Sequence, residues 1–219
     1  MNAANPVILE RALARPPKEA EPQLRGDSVG SDRYTCRDYL QREYQKVWHT
    51  VWNIGGVAYQ MPEPGDYLTT ELGIDSIIMA RQEDGSVKAF FNSCPHRGTR
   101  ITEAEDGHVQ EFSCPYHGWT YSNNGDLIGV PRADTVYNGE LDKSRLGLKT
   151  VPRVENYKGF IFANWDKDAI PLVDYLGADQ LWYLDLAFEA PLGGLEVIGP
   201  TMMFRIKANW KLAAVFFYV

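Results

Sequence analysis

Two short segments constrain this chain more than anything else in it: Cys94-Pro95-His96-Arg97-Gly98 and Cys114-Pro115-Tyr116-His117-Gly118. Each offers one thiol and one imidazole and ends on a glycine, and 17 residues separate His96 from Cys114. Metal ligands must sit within about 2–2.3 Å of their ion, so the fold must bring two separate loops to one place. Two cysteines and two histidines would satisfy tetrahedral zinc. Zinc fingers pair Cys with Cys and His with His at short spacing, whereas the order here alternates Cys, His, Cys, His.

Iron–sulfur centres of the Rieske type replace two thiolates on one iron by two imidazoles, and so can take one Cys and one His from each of two loops. Cys94, His96, Cys114 and His117 meet that stoichiometry and are the candidate ligands of a [2Fe–2S] cluster. The cysteines would hold the inner ferric iron and the histidines the outer iron that changes valence. Gly98 and Gly118 are expected to let the backbone approach the inorganic sulfides and donate N–H groups to them. His49, near a helix end, and His108, in the polar stretch EDGHVQ, read as ordinary boundary or surface residues, and Cys36 as a plain helix residue.

Around the motifs the pattern is one of short strands. VWNIGGVAY, YLTTELG, DSIIMAR and VKAFFN are β-branched or aromatic runs broken by PEPGD and EDGS. Asp84-Gly85 and Asn124-Gly125 are tight-turn signals, the first read as a hairpin in which both central residues tolerate positive φ. LGLKTVPRVENY reads as a strand pair and GFIFANW as a buried strand. One β-domain is therefore expected over 47–166. Before it, 1–46 reads as an arm, mobile or extended to about residue 33, and a helix over 36–48. Thr35 and Asp38 form the helix's capping box, and Leu40, Tyr44, Val47 and Trp48 its apolar positions. After it, 167–219 opens another domain. One or two short helices there carry Leu172, Tyr175, Leu176 and Leu181 on one face, and TMMFRIKANW alternates like a half-buried strand.

The balance of 22 basic against 29 acidic residues, net −7, argues against nucleic acid as a partner. No apolar run approaches the roughly 20 residues that cross a bilayer, so the expectation is a soluble, cytoplasmic protein without membrane contact. Three cysteines, two beside histidines at ligand spacing, favour metal over disulfide.

The run AFFNSCPHRGTRI followed by FSCPYHGWTYSNNGDLIGVP, with PGDYLTTELG before and KGFIFANW after, resembles the Rieske domain of aromatic ring-hydroxylating oxygenase large (α) subunits. The resemblance implies a mainly β fold: an antiparallel domain with two cluster loops at its tip, followed by an α+β catalytic domain. Arg97, Gly98, Gly118, Trp119 and Tyr121 would line the cluster. It also implies electrons passing from a ferredoxin or flavin reductase to a mononuclear non-haem Fe(II), in a homotrimer or hetero-oligomer that hydroxylates or demethylates aromatic compounds. Respiratory-chain Rieske proteins add a disulfide pair between the loops, which this chain lacks.

The resemblance breaks near the C-terminus. Family members run from ANWKL into Glu-Asn-Phe and an Asp-x-x-His stretch that begins a site of two histidines and one carboxylate. Here Leu212-Ala213-Ala214 leads to Val215-Phe216-Phe217-Tyr218-Val219, and no histidine follows His117. The expectation is a truncated start of the catalytic domain, with no catalytic residues in this chain, no activity on its own, and an exposed β-prone apolar end. The alternative is a stand-alone Rieske ferredoxin-type carrier. The long extensions on both sides of the β-domain argue against it.

Overall fold

Short β-branched runs punctuated by glycine turns give ten strands among residues 29–188, 198–199 and 206–217, which the computed structural model describes. They are β1 (Asn53–Val57), β2 (Asp66–Leu72), β3 (Asp75–Arg81), β4 (Val87–Phe91), β5 (Asp106–His108), β6 (Glu111–Ser113), β7 (Thr120–Ser122), β8 (Leu127–Gly129), β9 (Arg153–Tyr157) and β10 (Phe160–Asn164). Three antiparallel sheets result, ordered β1-β10-β9, β4-β3-β2-β5 and β6-β7-β8. The helices are α1 (Asp32–Thr35), α2 (Arg37–Glu43) continued by a π turn Tyr44–Trp48, α3 (Ala133–Val136), α4 (Leu172–Phe188) and α5 (Trp210–Phe217). The chain is mainly β, as its strand pattern requires.

The four-stranded sheet is a middle layer buried on both faces, which is why SIIMAR reads as a continuous apolar run. In β3, Ile77 and Met79 point one way and Ile78 and Ala80 the other, and all four are fully buried. Ile78 and Ala80, with Tyr67 and Phe90, pack on Phe112, Trp119, Tyr121 and Leu127 of the β6-β7-β8 side. Ile77 and Met79, with Leu68, Leu72 and Ala89, pack on Met61, Val151, Ile161 and Ala163. On the remaining face of the β1-β10-β9 sheet, Trp52 and Phe162 receive Leu172 from the first turn of α4.

The two glycine turns share one geometry. Gly85 N–H donates to Gln82 O and Gln82 N–H to Ser86 O; Gly125 N–H donates to Ser122 O and Ser122 N–H to Asp126 O. Only the glycine adopts positive φ in each (80° and 90°). Asp84 instead accepts from the Ser86 N–H and hydroxyl, so the hairpin loop is five residues rather than two.

Other readings are corrected as well. LGLKT is not a full strand: a single bridge, Thr150 to Phe90, precedes β9. Thr35 closes α1 by donating to Ser31 O, and the expected 36–48 helix begins at Arg37, its N-cap residue Cys36 making no side-chain cap bond, and changes to π geometry at Tyr44. Tyr175 faces solvent, while α4 is the expected pair of short helices, kinked at Gly177. Ile206 and Lys207 are exposed and outside any strand, and the apolar run beginning at Trp210 is helical rather than β. The expected arm (through residue 28), Phe204 and Arg205 lie outside the described residues.

Backbone contacts divide the chain into two units, 48–198 and a smaller one made of 1–47 with 199–219. Within the smaller unit, Glu43 accepts from Trp210 Nε1 (3.0 Å) and Lys211 Nζ (2.8 Å), and Asn209 donates to Tyr34 O.

A Cβ at Gly125 would stand 2.4 Å from Phe90, which is fully buried. Gly125→Ala combines left-handed strain with overpacking and is expected to cost about 3 kcal/mol. Gly139→Ala, at φ 71° with nothing within 4 Å, should cost about 1 kcal/mol. Denaturant titration of the two variants checks the difference.

Candidate metal centre

The two motif loops are built alike. In the first, Cys94 N–H donates to Thr99 O (2.8 Å) and Gly98 N–H to Cys94 O (2.8 Å). In the second, Cys114 N–H donates to Trp119 O (2.8 Å) and Gly118 N–H to Cys114 O (3.0 Å). Gly98 and Gly118 both take left-handed φ, 72° and 69°. The glycines are therefore required by the turn, and their N–H groups bond cysteine carbonyls rather than sulfide. At Gly98 an added Cβ would meet only Ser93 Oγ, at 3.9 Å, so space is not the reason for it.

Each loop sends its cysteine inward and its histidine outward. Cys94 and Cys114 belong to the same buried cluster as Phe90 and Tyr121, whereas His96 is half-buried and His117 exposed. The histidine ring centroids are 4.7 Å apart. Burial pushes the Cys114 thiol up; the Tyr116 and His117 backbone N–H groups pull it down, and the adjoining Cys94 thiol pushes it up again. Loop backbone thus does point donors at sulfur, one and two residues beyond the proline that follows Cys114. Partial desolvation, then the charges of His96 and Arg97, lower the His117 pKa and favour the neutral imidazole a metal requires.

Both rings lie on aromatic neighbours. His96 stacks on Trp119 at 4.7 Å and 3°, and His117 on Tyr116 at 3.7 Å and 30°. Trp119 is buried in the core, and the Arg97 guanidinium lies over the Tyr116 ring, 5.7 Å from its centroid. The Tyr121 hydroxyl lies 3.0 Å from Cys94 Sγ in the core, where burial and this sulfur raise its pKa far above the phenol range. Tyr121 therefore stays protonated, and either the hydroxyl or the thiol can donate across this contact.

Two features test the fit of an iron–sulfur centre. His96 Nδ1 is buried and has no hydrogen-bond partner, an arrangement that a bound cation at this nitrogen would resolve. Among the described residues no group of three or more His, Cys, Asp or Glu side chains is arranged to hold a single ion. A two-iron centre needs only two protein donors per iron, and this donor set fits it. His49 and His108 lie elsewhere, paired with Asp75 (3.0 Å) and Asp66 (2.8 Å).

Residues 51–152 match the family model described as the Rieske [2Fe-2S] domain, so this part of the chain is a Rieske domain. The similarity runs beyond it. The chain is 43% identical over 181 residues to the large oxygenase component of the 2,4-dinitrotoluene dioxygenase system of Burkholderia sp., covering 83% of this chain and 40% of that protein. It is 48% identical over 177 residues to the large oxygenase component of the naphthalene 1,2-dioxygenase system of Pseudomonas fluorescens, covering 81% and 39%. The crystal structure of naphthalene 1,2-dioxygenase from Rhodococcus sp. bound to indole superposes with a TM-score of 0.76 at 39% identity, covering 81% of this chain and 40% of that one. The matched part is thus a Rieske [2Fe–2S] domain similar to that of these large oxygenase components, and the chain spans about two fifths of the length of these relatives.

One supporting residue carried no sequence signal. Asn92, buried just ahead of the first loop, accepts from the Ile101 and Thr102 N–H groups (2.9 and 3.2 Å) and donates to Thr102 O (2.8 Å). It ties the returning limb of the loop to the sheet. Asn92→Ala would leave buried groups unpaired and is expected to cost about 3 kcal/mol. Faster hydrogen exchange at the Ile101 and Thr102 amides would register the loosened limb.

Proposed function

We propose that Cys94, Cys114, His96 and His117 hold the [2Fe–2S] cluster, and that this chain is the electron-entry portion of an aromatic ring-hydroxylating oxygenase large subunit. The observation that carries the assignment is the division of the loops into buried thiols and outward imidazoles, with His96 Nδ1 buried and unpartnered. A bound cluster supplies one-electron carriage. The cysteines keep it anchored in the core, and the histidines face the side from which a protein donor arrives. The donor is a ferredoxin or flavin reductase, and the acceptor a mononuclear non-haem iron in an assembled homotrimer or hetero-oligomer. Aromatic compounds are the substrate class, and the cytoplasm, where thiols stay reduced, is the compartment. The Rieske domain extends over 47–166, because β1 and β10 pair at its two ends. A stand-alone carrier fits less well, since similarity to oxygenase large components covers 81–83% of the chain and exceeds the matched domain.

Purified protein should show the visible bands of an oxidised [2Fe–2S] centre and, on reduction, a rhombic EPR signal. His96→Ala or His117→Ala should abolish that signal while His108→Ala keeps it; stoichiometric zinc without iron or sulfide would overturn the assignment. The potential is expected in the lower part of the Rieske range of roughly −150 to +300 mV. Tyr121→Phe should lower it further, by about 40 mV, if the hydroxyl stabilises the reduced state by about 1 kcal/mol more than the oxidised one.

A separate prediction concerns turnover. An iron site of two histidines and a carboxylate needs histidines beyond the cluster pair, and this sequence has four histidines in all, with His49 and His108 engaged apart from each other. Given reductant, O₂, Fe²⁺ and aromatic substrates, the 219-residue protein should accept electrons and form no hydroxylated or demethylated product above a cluster-free control. Coupled product would reveal a catalytic iron within these residues.

A further inference from the structure

The two loops hold each other through a pair of crossed contacts of unequal quality. Trp119 of the second loop supports His96 of the first, almost parallel and buried at 4% exposure. In the opposite direction, Arg97 of the first loop lies 5.7 Å from the ring centroid of Tyr116 of the second, and Tyr116 in turn stacks on His117. This second contact is open to solvent, with Tyr116 55% exposed. The inner support is fixed by the core. The outer one is an exposed ring with a guanidinium carbon 5.7 Å from its centroid.

Arg97 is also distinctive in charge. Arg100, two positions after Gly98, is paired with Glu71 (2.7 Å) and approached by Glu103 (3.8 Å). For Arg97 the tyrosine ring is the contact, and no carboxylate pairs with it among the described residues. An uncompensated cation therefore stands beside the outer histidine, on a chain whose net charge is −7. A cation near a centre that gains negative charge favours the reduced form, and a planar guanidinium holds an aromatic face better than an ammonium does.

We propose that Arg97 and Tyr116 form a positioning pair for His117: the guanidinium clamps the tyrosine ring onto the imidazole, fixing its plane, and its charge raises the reduction potential. The inference rests on the ligand assignment proposed above. No bond is made or broken. One electron is taken up from an external one-electron donor, and the pair acts only on how easily it is accepted.

The test uses the cluster-containing protein and its Arg97→Gln, Arg97→Lys, Tyr116→Phe and Tyr116→Ala variants. Potentials are measured by voltammetry at low and high salt, and the orientation of the histidine nitrogens by their hyperfine couplings to the reduced cluster. Arg97→Gln should lower the reduced-to-oxidised ratio at a fixed ambient potential by several-fold, tenfold corresponding to 59 mV for one electron. The deficit should shrink at high salt, as a screened surface charge requires. Arg97→Lys should recover most of the ratio, since it restores the charge. Tyr116→Phe should keep both the potential and the couplings, whereas Tyr116→Ala should change the couplings and lower the potential. An Arg97→Gln potential equal to that of the parent protein, or Tyr116→Ala couplings identical to the parent's, would overturn the proposal. If Tyr116→Ala fails to retain a cluster, the Arg97→Gln potential and its salt dependence decide. A parent protein without a Rieske signal would instead overturn the ligand assignment, so the two failures are distinct.

Discussion

The Tyr121 hydroxyl meets Cys94 Sγ at 3.0 Å inside the core, and the geometry of the tip depends on that contact. Tyr121 lies on β7, the strand that leaves the second motif loop, while Cys94 opens the first. This hydrogen bond thus connects the two loops beneath the surface, where neither partner can turn to water. Its surroundings make it specific. Phe90, Phe112 and Trp119 close the space around it, so an unpaired hydroxyl or sulfur there would carry its full desolvation cost. Above this contact the imidazoles diverge outward, and the division between an anchored inner side and an accessible outer side follows.

The strand pattern and the two motifs were legible because each is a local signal. Alternation within YLTTELG and the unbroken apolar run of SIIMAR mark β2 and β3, and the Cys-His spacing marks the candidate donors. What escaped was decided by partners distant in sequence or by small differences in turn chemistry. Asn92 is an unremarkable asparagine until the chain returns at Ile101 and Thr102 to use both ends of its amide. Thr35 resembles a helix cap, but its hydroxyl is drawn to Ser31 O, four residues back, and so it ends one helical turn instead of starting the next. The C-terminal run from Trp210 has strand-like composition. It is helical, and Trp210 and Lys211 at its start are both held by Glu43.

The glycines of the motifs illustrate how a correct residue choice can rest on the wrong reason. Close approach to sulfide is a plausible use of a residue without Cβ, but both N–H groups point back to the cysteine carbonyl that begins the loop. The left-handed φ at Gly98 and Gly118 is what allows each five-residue loop to close with its cysteine N–H already bonded. Backbone donors toward Cys114 sulfur come from Tyr116 and His117 instead. The glycines therefore shape the loop, while the residues between cysteine and glycine direct backbone donors at the sulfur, so the sulfur's surroundings depend on loop conformation.

That coupling differs from the one found in small zinc modules, where metal binding supplies most of the folding energy. Here the two cysteines are only two of the twelve buried residues in their cluster, and the other face of the middle sheet has a second core with no contribution from the motif loops. Two thiols in contact with each other and with a tyrosine hydroxyl behave as small hydrophobic groups with weak hydrogen-bonding needs. The sheets therefore draw most of their packing from residues other than the motif cysteines. The outer histidines have less to hold them: His96 has the buried face of Trp119, and His117 has a solvent-exposed tyrosine. Stability is thus concentrated at the base of the domain, and the freedom that remains is left at the imidazole edge.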